Sequence, residues 1–130
     1  MFAGSGALGF EALSRGARHC CVVEKKPAVL RQIQANCELL NATSQSELVL
    51  ADANIPLQTS EPFDIVFLDP PFKSASLQRC LNWLINSATL KPVALIYIET
   101  AKDETWRNDS LNVLKEKYAG EVCFRLTKLK

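Results

Sequence analysis

No apolar run in this chain of 130 residues reaches the roughly 18–20 positions that a membrane-spanning helix requires. The N-terminus also lacks the charged-then-apolar pattern of a secretory leader. Both absences lead to the expectation of a cytoplasmic protein without a membrane partner. His19 is the single histidine, and no CxxC pair spaces the five cysteines, so an imidazole and thiolate metal centre has no ligand set. The expectation is that no metal is needed and that His19 is structural or incidental. Cys20, Cys21, Cys37, Cys80 and Cys123 are odd in number and sit within apolar runs, which reads as buried reduced thiols rather than a disulfide framework. Charge of one sign is missing too: 15 Lys and Arg face 14 Asp and Glu, and a net charge of +1 gives no global attraction to nucleic acid. Residues 1–69 carry net −3 and residues 70–130 net +4, so a polyanion would favour the C-terminal half.

What is present is apolar material in quantity, 48% of the residues, enough for the core of one domain spanning residues 1–130. Short apolar runs alternate with segments of helical period, the sequence sign of a mostly parallel α/β sheet. The runs are Cys20 to Glu24, Leu48 to Asp52, Ile65 to Asp69 and Val93 to Glu99. Near-continuous apolarity is what strands covered on both faces show. Each run ends in an acid, and ligands of open α/β sheets bind beyond the carboxyl ends of strands. Between the first two runs, Pro27 suits a first helical turn, and Val29, Leu30, Ile33, Cys37 and Leu40 share one helical face. Leu77, Leu81, Leu84 and Ile85 repeat that pattern after the third run. Leu111 to Leu114 and Val122 to Leu126, joined through Ala119 and Gly120, read as a closing antiparallel hairpin.

Two motifs carry chemistry. Gly4-Ser5-Gly6-Ala7-Leu8-Gly9 fits GxGxxG and leads into a helix expected to end at Gly16. Glycines let backbone approach a ligand at a helix N-terminus, where free N–H groups favour a carboxylate or phosphate. Glu24 follows about 20 residues after the first glycine, at the end of the next strand, where an acid can bond ribose hydroxyls. Together they point to a nucleoside cofactor. The second motif is Asp69-Pro70-Pro71-Phe72, closing the third apolar run. Residues before a proline are pushed out of the helical region, and neither proline has an N–H to donate. The loop therefore offers acceptors, the Asp69 side chain and the Pro70 carbonyl. An exocyclic base amine is a poor nucleophile because its lone pair is delocalised into the ring. Two acceptors gripping its hydrogens would aim that lone pair at an electrophile. Phe72 supplies a ring on which a base can stack, worth about 1–3 kcal/mol in sites of this kind.

Phe2 to Ala17, Val22 to Lys25, Leu50 to Ala53 and Asp64 to Phe72 together resemble the S-adenosylmethionine-dependent amino-methyltransferases. The chain is most similar to the bacterial RsmD type, which methylates guanine N2 in 16S ribosomal RNA. That resemblance implies a Rossmann-like class I methyltransferase fold, with a mostly parallel sheet closed by the C-terminal hairpin. It implies S-adenosyl-L-methionine as cofactor, its methionine part against Gly4, Ser5, Gly6 and Gly9, its ribose on Glu24, and its adenine near Asp52 and Ala53. Asp69, Pro70 and Phe72 would hold the target base, which must be unpaired or flipped out to reach them. The implied partner is 16S ribosomal RNA or a small-subunit assembly particle, met by a monomer. Glu11 and Arg15 also match family positions, either as substrate contacts or in helix capping or an internal ion pair. The loop Lys73 to Ser76 is either a phosphate contact or a solvated turn.

Family members place an apolar strand ending in an acid, preceded by an Arg- and Gly-rich segment, ahead of the first motif. Here the chain starts at Met1, so the first strand is expected to be missing, its place being between the strands ending at Glu24 and Asp69. Three other readings stay open. A nicotinamide dehydrogenase would account for the glycines and Glu24 but not for Asp69 to Phe72. A DNA adenine-N6 or cytosine-N4 methyltransferase keeps every site and changes the substrate. A non-catalytic cofactor-binding fragment keeps the fold without turnover.

Overall fold

The computed structural model describes residue 1 and residues 6–130, which fall into two compact units, Met1–Ala53 and Asn54–Lys130. In the first unit, helix α1 (Ala7–Ser14) leads to strand β1 (Cys20–Glu24), helix α2 (Pro27–Leu39), a 3-10 turn (Thr43–Gln45) and strand β2 (Ser46–Leu50). Strands β1 and β2 pair in parallel, Cys20 opposite Ser46 through Glu24 opposite Leu50. The helix joining them is the right length for a parallel crossover.

Both helices of this unit end as their sequences dictate. Gly16 takes φ +104° and its N–H donates to the Leu13 carbonyl, while the Ala17 N–H donates to Ala12. This pair of bonds satisfies carbonyls that the last turn leaves orphaned. Asn41 (φ +53°) does the same for α2, its N–H meeting Glu38 and that of Ala42 meeting Cys37. Asn tolerates the left-handed region better than most side chains. The apolar stripe of α2 buries Ile33 and Cys37, which join Val22 in a core flanked by Phe10, Cys20, Val29 and Leu48. Leu40 falls past the last turn and is 60% exposed, so it is not part of the buried face predicted for it.

In the second unit the order is β3 (Phe63–Leu68), helix α3 (Ser76–Ile85), β4 (Leu90–Ala101), β5 (Leu111–Ala119) and β6 (Val122–Leu129). They form a four-stranded sheet, β3-β4-β6-β5. The β3–β4 pair is parallel, with Leu68 opposite Ile98, and the register slips near its start. Pro92, which has no ladder N–H, lies in the slipped stretch. The pairs β4–β6 and β5–β6 are antiparallel, so the predicted hairpin closes the sheet; Gly120 turns it at φ +57°. Its strands run further than the apolar patterning suggested, because β5 beyond Leu111 is exposed along its length and carries few apolar signals.

Alternation decides which residues enter the core of this unit. Ala94, Ile96, Ile98 and Thr100 of β4, with Cys123, Arg125 and Thr127 of β6, are buried, as are Leu77, Cys80, Leu81 and Leu84 of α3. Thr127 Oγ1 donates to the Ile96 carbonyl, and Arg125 donates to Thr100 Oγ1 and Glu116 Oε2 at 2.8 Å each, its guanidinium 5.1 Å from the Trp106 ring. All five cysteines are free. Cys37, Cys80 and Cys123 are buried, but Cys20 and Cys21 are only half-buried, correcting the expectation that all five would be enclosed. Burial, reinforced by Glu47, pushes the Cys21 thiol up to about 11. Among the described residues no helix is long and apolar enough to cross a membrane.

Candidate active site

In the first unit three of the predicted cofactor residues, Glu24, Asp52 and Ala53, lie at or just past the carboxyl ends of β1 and β2. Glu24, the last residue of β1, is buried, and its Oε1 accepts the Lys26 N–H at 3.2 Å. The Glu24 carbonyl accepts the Ala51 N–H, extending the ladder beyond β2 and carrying the chain on to Asp52 and Ala53. Asp52 is half-buried and Ala53 is buried; Asp52 follows the strand rather than ending it, because β2 stops at Leu50. Gly6 caps α1 in the left-handed region (φ +77°), buried, where an added Cβ would meet Phe10 at 3.0 Å. Gly9 answers a different demand. A Cβ there would sit 2.7 Å from Cys20 Sγ, so this glycine lets α1 close onto β1. Gly4 and Ser5 lie outside the described residues.

The remaining matched positions of this unit are plain surface. Arg15 Nε donates to Glu11 Oε1 at 2.6 Å, an exposed pair one helical turn apart, which is the ion-pair alternative for these residues. His19 Nε2 lies 3.5 Å from Glu47 Oε2 where β1 and β2 begin.

In the second unit β3 ends at Leu68, and the next residues are an exposed Asp69, a buried Pro70, an exposed Pro71 and Phe72 at 45% exposure. A ring left this open at the mouth of a loop is available for stacking. The loop is tied down without backbone N–H groups from the prolines. Ser74 Oγ donates to the Pro71 carbonyl at 2.7 Å, and the Lys73 N–H donates to Glu104 Oε2 at 3.1 Å. Lys73 Nζ donates to Asp103 Oδ2 at 2.9 Å, so this ammonium is engaged by a carboxylate; both side chains are exposed.

Sequence reasoning noted Glu99 as a strand-end acid and gave it no role. The structure brings it to the Asp69 loop. The β3–β4 register ends with Leu68 opposite Ile98, and Asp69, the next residue, comes beside Glu99, whose carboxyl interacts with its own. The Tyr97 hydroxyl donates to Glu99 Oε1 at 2.9 Å, and its ring meets Phe67 edge-on at 5.8 Å and Phe124 at 6.3 Å. Burial raises the Glu99 carboxyl above the ordinary range; the Tyr97 bond opposes this, and the adjacent Asp69 carboxylate adds to it. Burial and the bond to Glu99 hold the Tyr97 phenol protonated. The signal available beforehand was the run of apolar residues ending in Glu99, but only strand register shows which acid it meets.

The conserved hypothetical protein 95 family matches residues 1–128. The ribosomal RNA small subunit methyltransferase D of Haemophilus influenzae is 39% identical over 130 residues, covering 96% of this chain and 67% of that protein. The chain belongs to that family. The Escherichia coli protein of the same name is 37% identical over 127 residues, covering 96% of this chain and 64% of its own length. The chain thus spans about two thirds of the curated relatives it matches. A solved Escherichia coli structure aligns with TM-score 0.88 at 36% identity, covering 99% of this chain and 73% of that one. A ribosomal protein L11 methylase from Lactobacillus delbrueckii aligns with TM-score 0.81 at 14% identity over 98% of this chain and 66% of that one, a likeness of fold alone. The class I methyltransferase fold implied by the sequence is therefore the fold of this family member.

Proposed function

We propose that the chain transfers a methyl group from S-adenosylmethionine to the exocyclic N2 amine of a guanine in 16S ribosomal RNA, free or within a small-subunit assembly particle. The observation that carries this reading is the loop after β3, an exposed acid, two prolines without donors, and an open ring. Family membership supports it, since relatives are named for ribosomal RNA methylation.

The residues of the first unit fit the cofactor. A buried carboxylate at a strand end accepts ribose hydroxyls, and the first turn of α1 holds no acid to repel a methionine carboxylate from its N–H groups. Gly6, with Gly4 and Ser5, would hold the methionine part, Glu24 the ribose, and Asp52 and Ala53 the adenine. Gly9 contributes by letting α1 pack close to β1. When bound, S-adenosylmethionine supplies an electrophilic methyl group carried on a sulfonium.

In the second unit, the Asp69 carboxylate and the Pro70 carbonyl each accept one hydrogen of the acceptor amine. That holds the nitrogen lone pair out of conjugation with the ring and gives it one direction. Phe72 stacks the base and fixes its plane. The amine must lose one proton as it is methylated, and Asp69, exposed to water, is placed to accept it and pass it on.

Calorimetric titration with S-adenosylhomocysteine, with NADH as control, tests the cofactor half; binding of NADH alone would overturn the reading. Methyl incorporation into ribosomal RNA tests the other half. Asp69→Ala should abolish incorporation while leaving S-adenosylhomocysteine affinity within a few fold, and a fully active variant would remove Asp69 from the mechanism. Incorporation into DNA in place of ribosomal RNA would move the substrate to the DNA amino-methyltransferase alternative.

A further inference from the structure

We propose that Glu99 is a positioning residue for Asp69, its carboxyl sharing one proton with an Asp69 oxygen so that the other oxygen stays aimed at the acceptor amine. The inference rests on the methyl-transfer reading and adds to it a residue that touches neither base nor cofactor.

Three observations converge on Glu99. Asp69, the first residue past β3, comes beside Glu99 of β4 where the register ends with Leu68 opposite Ile98, and the two carboxyls interact. Tyr97 clamps Glu99 from the same strand, its hydroxyl 2.9 Å from Oε1. The tyrosine is itself braced between Phe67 on β3 and Phe124 on β6. A carboxyl whose Oε1 is occupied by a donor has Oε2 left to act, and the neighbour toward β3 is Asp69. Two carboxyls this close, one partly desolvated, repel if both are ionised; one shared proton converts repulsion into a hydrogen bond. Burial favours Glu99 as the holder of that proton and Asp69 adds to this, while the Tyr97 bond opposes it.

Among the described residues, the groups named around Glu99 include no cation. On β6 the residue opposite Glu99 is Phe124, and the adjacent Arg125 is committed to Glu116 and Thr100. On β4 the neighbour is Tyr97, and on the β3 side it is Asp69. Lys73, the first cation after the loop, is held by Asp103.

Exposed Asp69 is otherwise a free rotor at a strand end, and a carboxylate turning among rotamers is a poor clamp. Fixing one oxygen fixes the plane of the group and hence the direction of the second. Misplacing a reacting group by about 1 Å costs on the order of a hundredfold in rate.

The test compares Glu99→Gln with Glu99→Ala in this chain. Glutamine keeps an acceptor for Tyr97 and a donor for Asp69 at every pH, whereas alanine keeps neither. Glu99→Ala should lower kcat at least about tenfold with unchanged S-adenosylhomocysteine affinity. Glu99→Gln should stay within about threefold of wild type and lose the decline in kcat that wild type shows as Glu99 ionises with rising pH. Equal activity of the alanine variant and wild type, or a glutamine variant as impaired as alanine, overturns the proposal. A second measurement does not depend on turnover. Carboxyl carbon NMR of the ligand-free chain should show Glu99 titrating above the usual glutamate range, and Asp69→Asn should move that titration down. An ordinary titration indifferent to Asp69→Asn refutes the pair. Absence of methyl incorporation by wild type, with the NMR coupling intact, would fail the methyl-transfer reading and leave the paired carboxyls standing.

Discussion

Gly9→Ala separates two reasons for a glycine. The resemblance makes Gly9 part of a cofactor cradle, whereas the geometry makes it the contact point of α1 on β1, with Cys20 Sγ 2.7 Å from where the new Cβ would lie. An ordinary contact begins near 3.4 Å, so helix or strand must yield by about 0.7 Å. Overpacking of this kind costs about 1–3 kcal/mol. Against it stands the higher helix propensity of alanine in the middle of α1, about 1 kcal/mol in its favour. The expected balance is a loss of about 1 kcal/mol, read by urea unfolding. The double variant Gly9→Ala/Cys20→Ala removes the sulfur that the methyl would strike, so the propensity gain survives and the clash does not. The cycle should give a coupling of about 1–3 kcal/mol. A coupling below about 0.5 kcal/mol, or a single variant more stable than wild type by the full propensity gain, would refute the packing argument. S-adenosylhomocysteine affinity equal in the double variant and in Cys20→Ala would confine Gly9 to packing; a drop of tenfold or more would show that its methyl also intrudes on the ligand.

Three further outcomes follow from the same geometry. Arg125→Ala should destabilise the chain by about 2–4 kcal/mol in urea unfolding, since it removes a buried side chain, its bond to Thr100 and its stack on Trp106. Glu99 has a folded-state affinity for protons above its unfolded one, so its contribution is present at acid pH and is lost as pH rises through the raised value. Thermal melts from pH 4 upward should show wild type losing stability relative to Glu99→Gln, and parallel curves would contradict the shift. Phe72→Leu should raise KM for ribosomal RNA several-fold without lowering the melting temperature, because a ring 45% exposed contributes little to the core; a large drop in melting temperature would show the ring to be structural.

The elements legible in the sequence were those whose periodicity one physical rule governs. Strands β1 and β3 were legible as apolar runs, although β3 is buried at Val66 and Leu68 while Ile65 stays exposed, and α2 announces itself through Pro27 and the stripe at Val29, Ile33 and Cys37. The termini of α1 at Gly16 and of the hairpin at Gly120 were legible because few side chains accept those backbone angles. Strand β5 was underread, since an exposed edge strand such as Asn112 to Ala119 need not be apolar. Of the four acids read as strand ends, Glu24 closes β1 and Asp69 directly follows β3, whereas Asp52 lies two residues past β2 and Glu99 two residues before the end of β4. What the sequence could not show is which of them meet, because register between strands some 30 residues apart leaves no local mark.

The loop after β3 illustrates why such cross-chain ties are needed where chemistry is done. Prolines at positions 70 and 71 offer carbonyls and no N–H, so the loop cannot anchor itself through backbone donors at those two positions. Two residues past the second proline, the Lys73 N–H donates to Glu104 of the segment following β4. Lys73 adopts φ +56°, a conformation that costs a non-glycine residue about 1–2 kcal/mol, and the backbone bond to Glu104 and the ammonium bond to Asp103 hold it there. Glu104 Oε2 also accepts the Ala101 N–H, so one carboxylate ties the loop to the end of β4. The strand that positions Glu99 is thereby the strand that holds the loop carrying Asp69 and Phe72. Glu104→Ala should therefore lower methyl transfer while leaving S-adenosylhomocysteine affinity unchanged, and Lys73→Gly, which relieves the backbone but discards the ammonium, should not. Loss of activity in the glycine variant equal to that in Glu104→Ala would place the holding force in the exposed ion pair instead of the backbone bond.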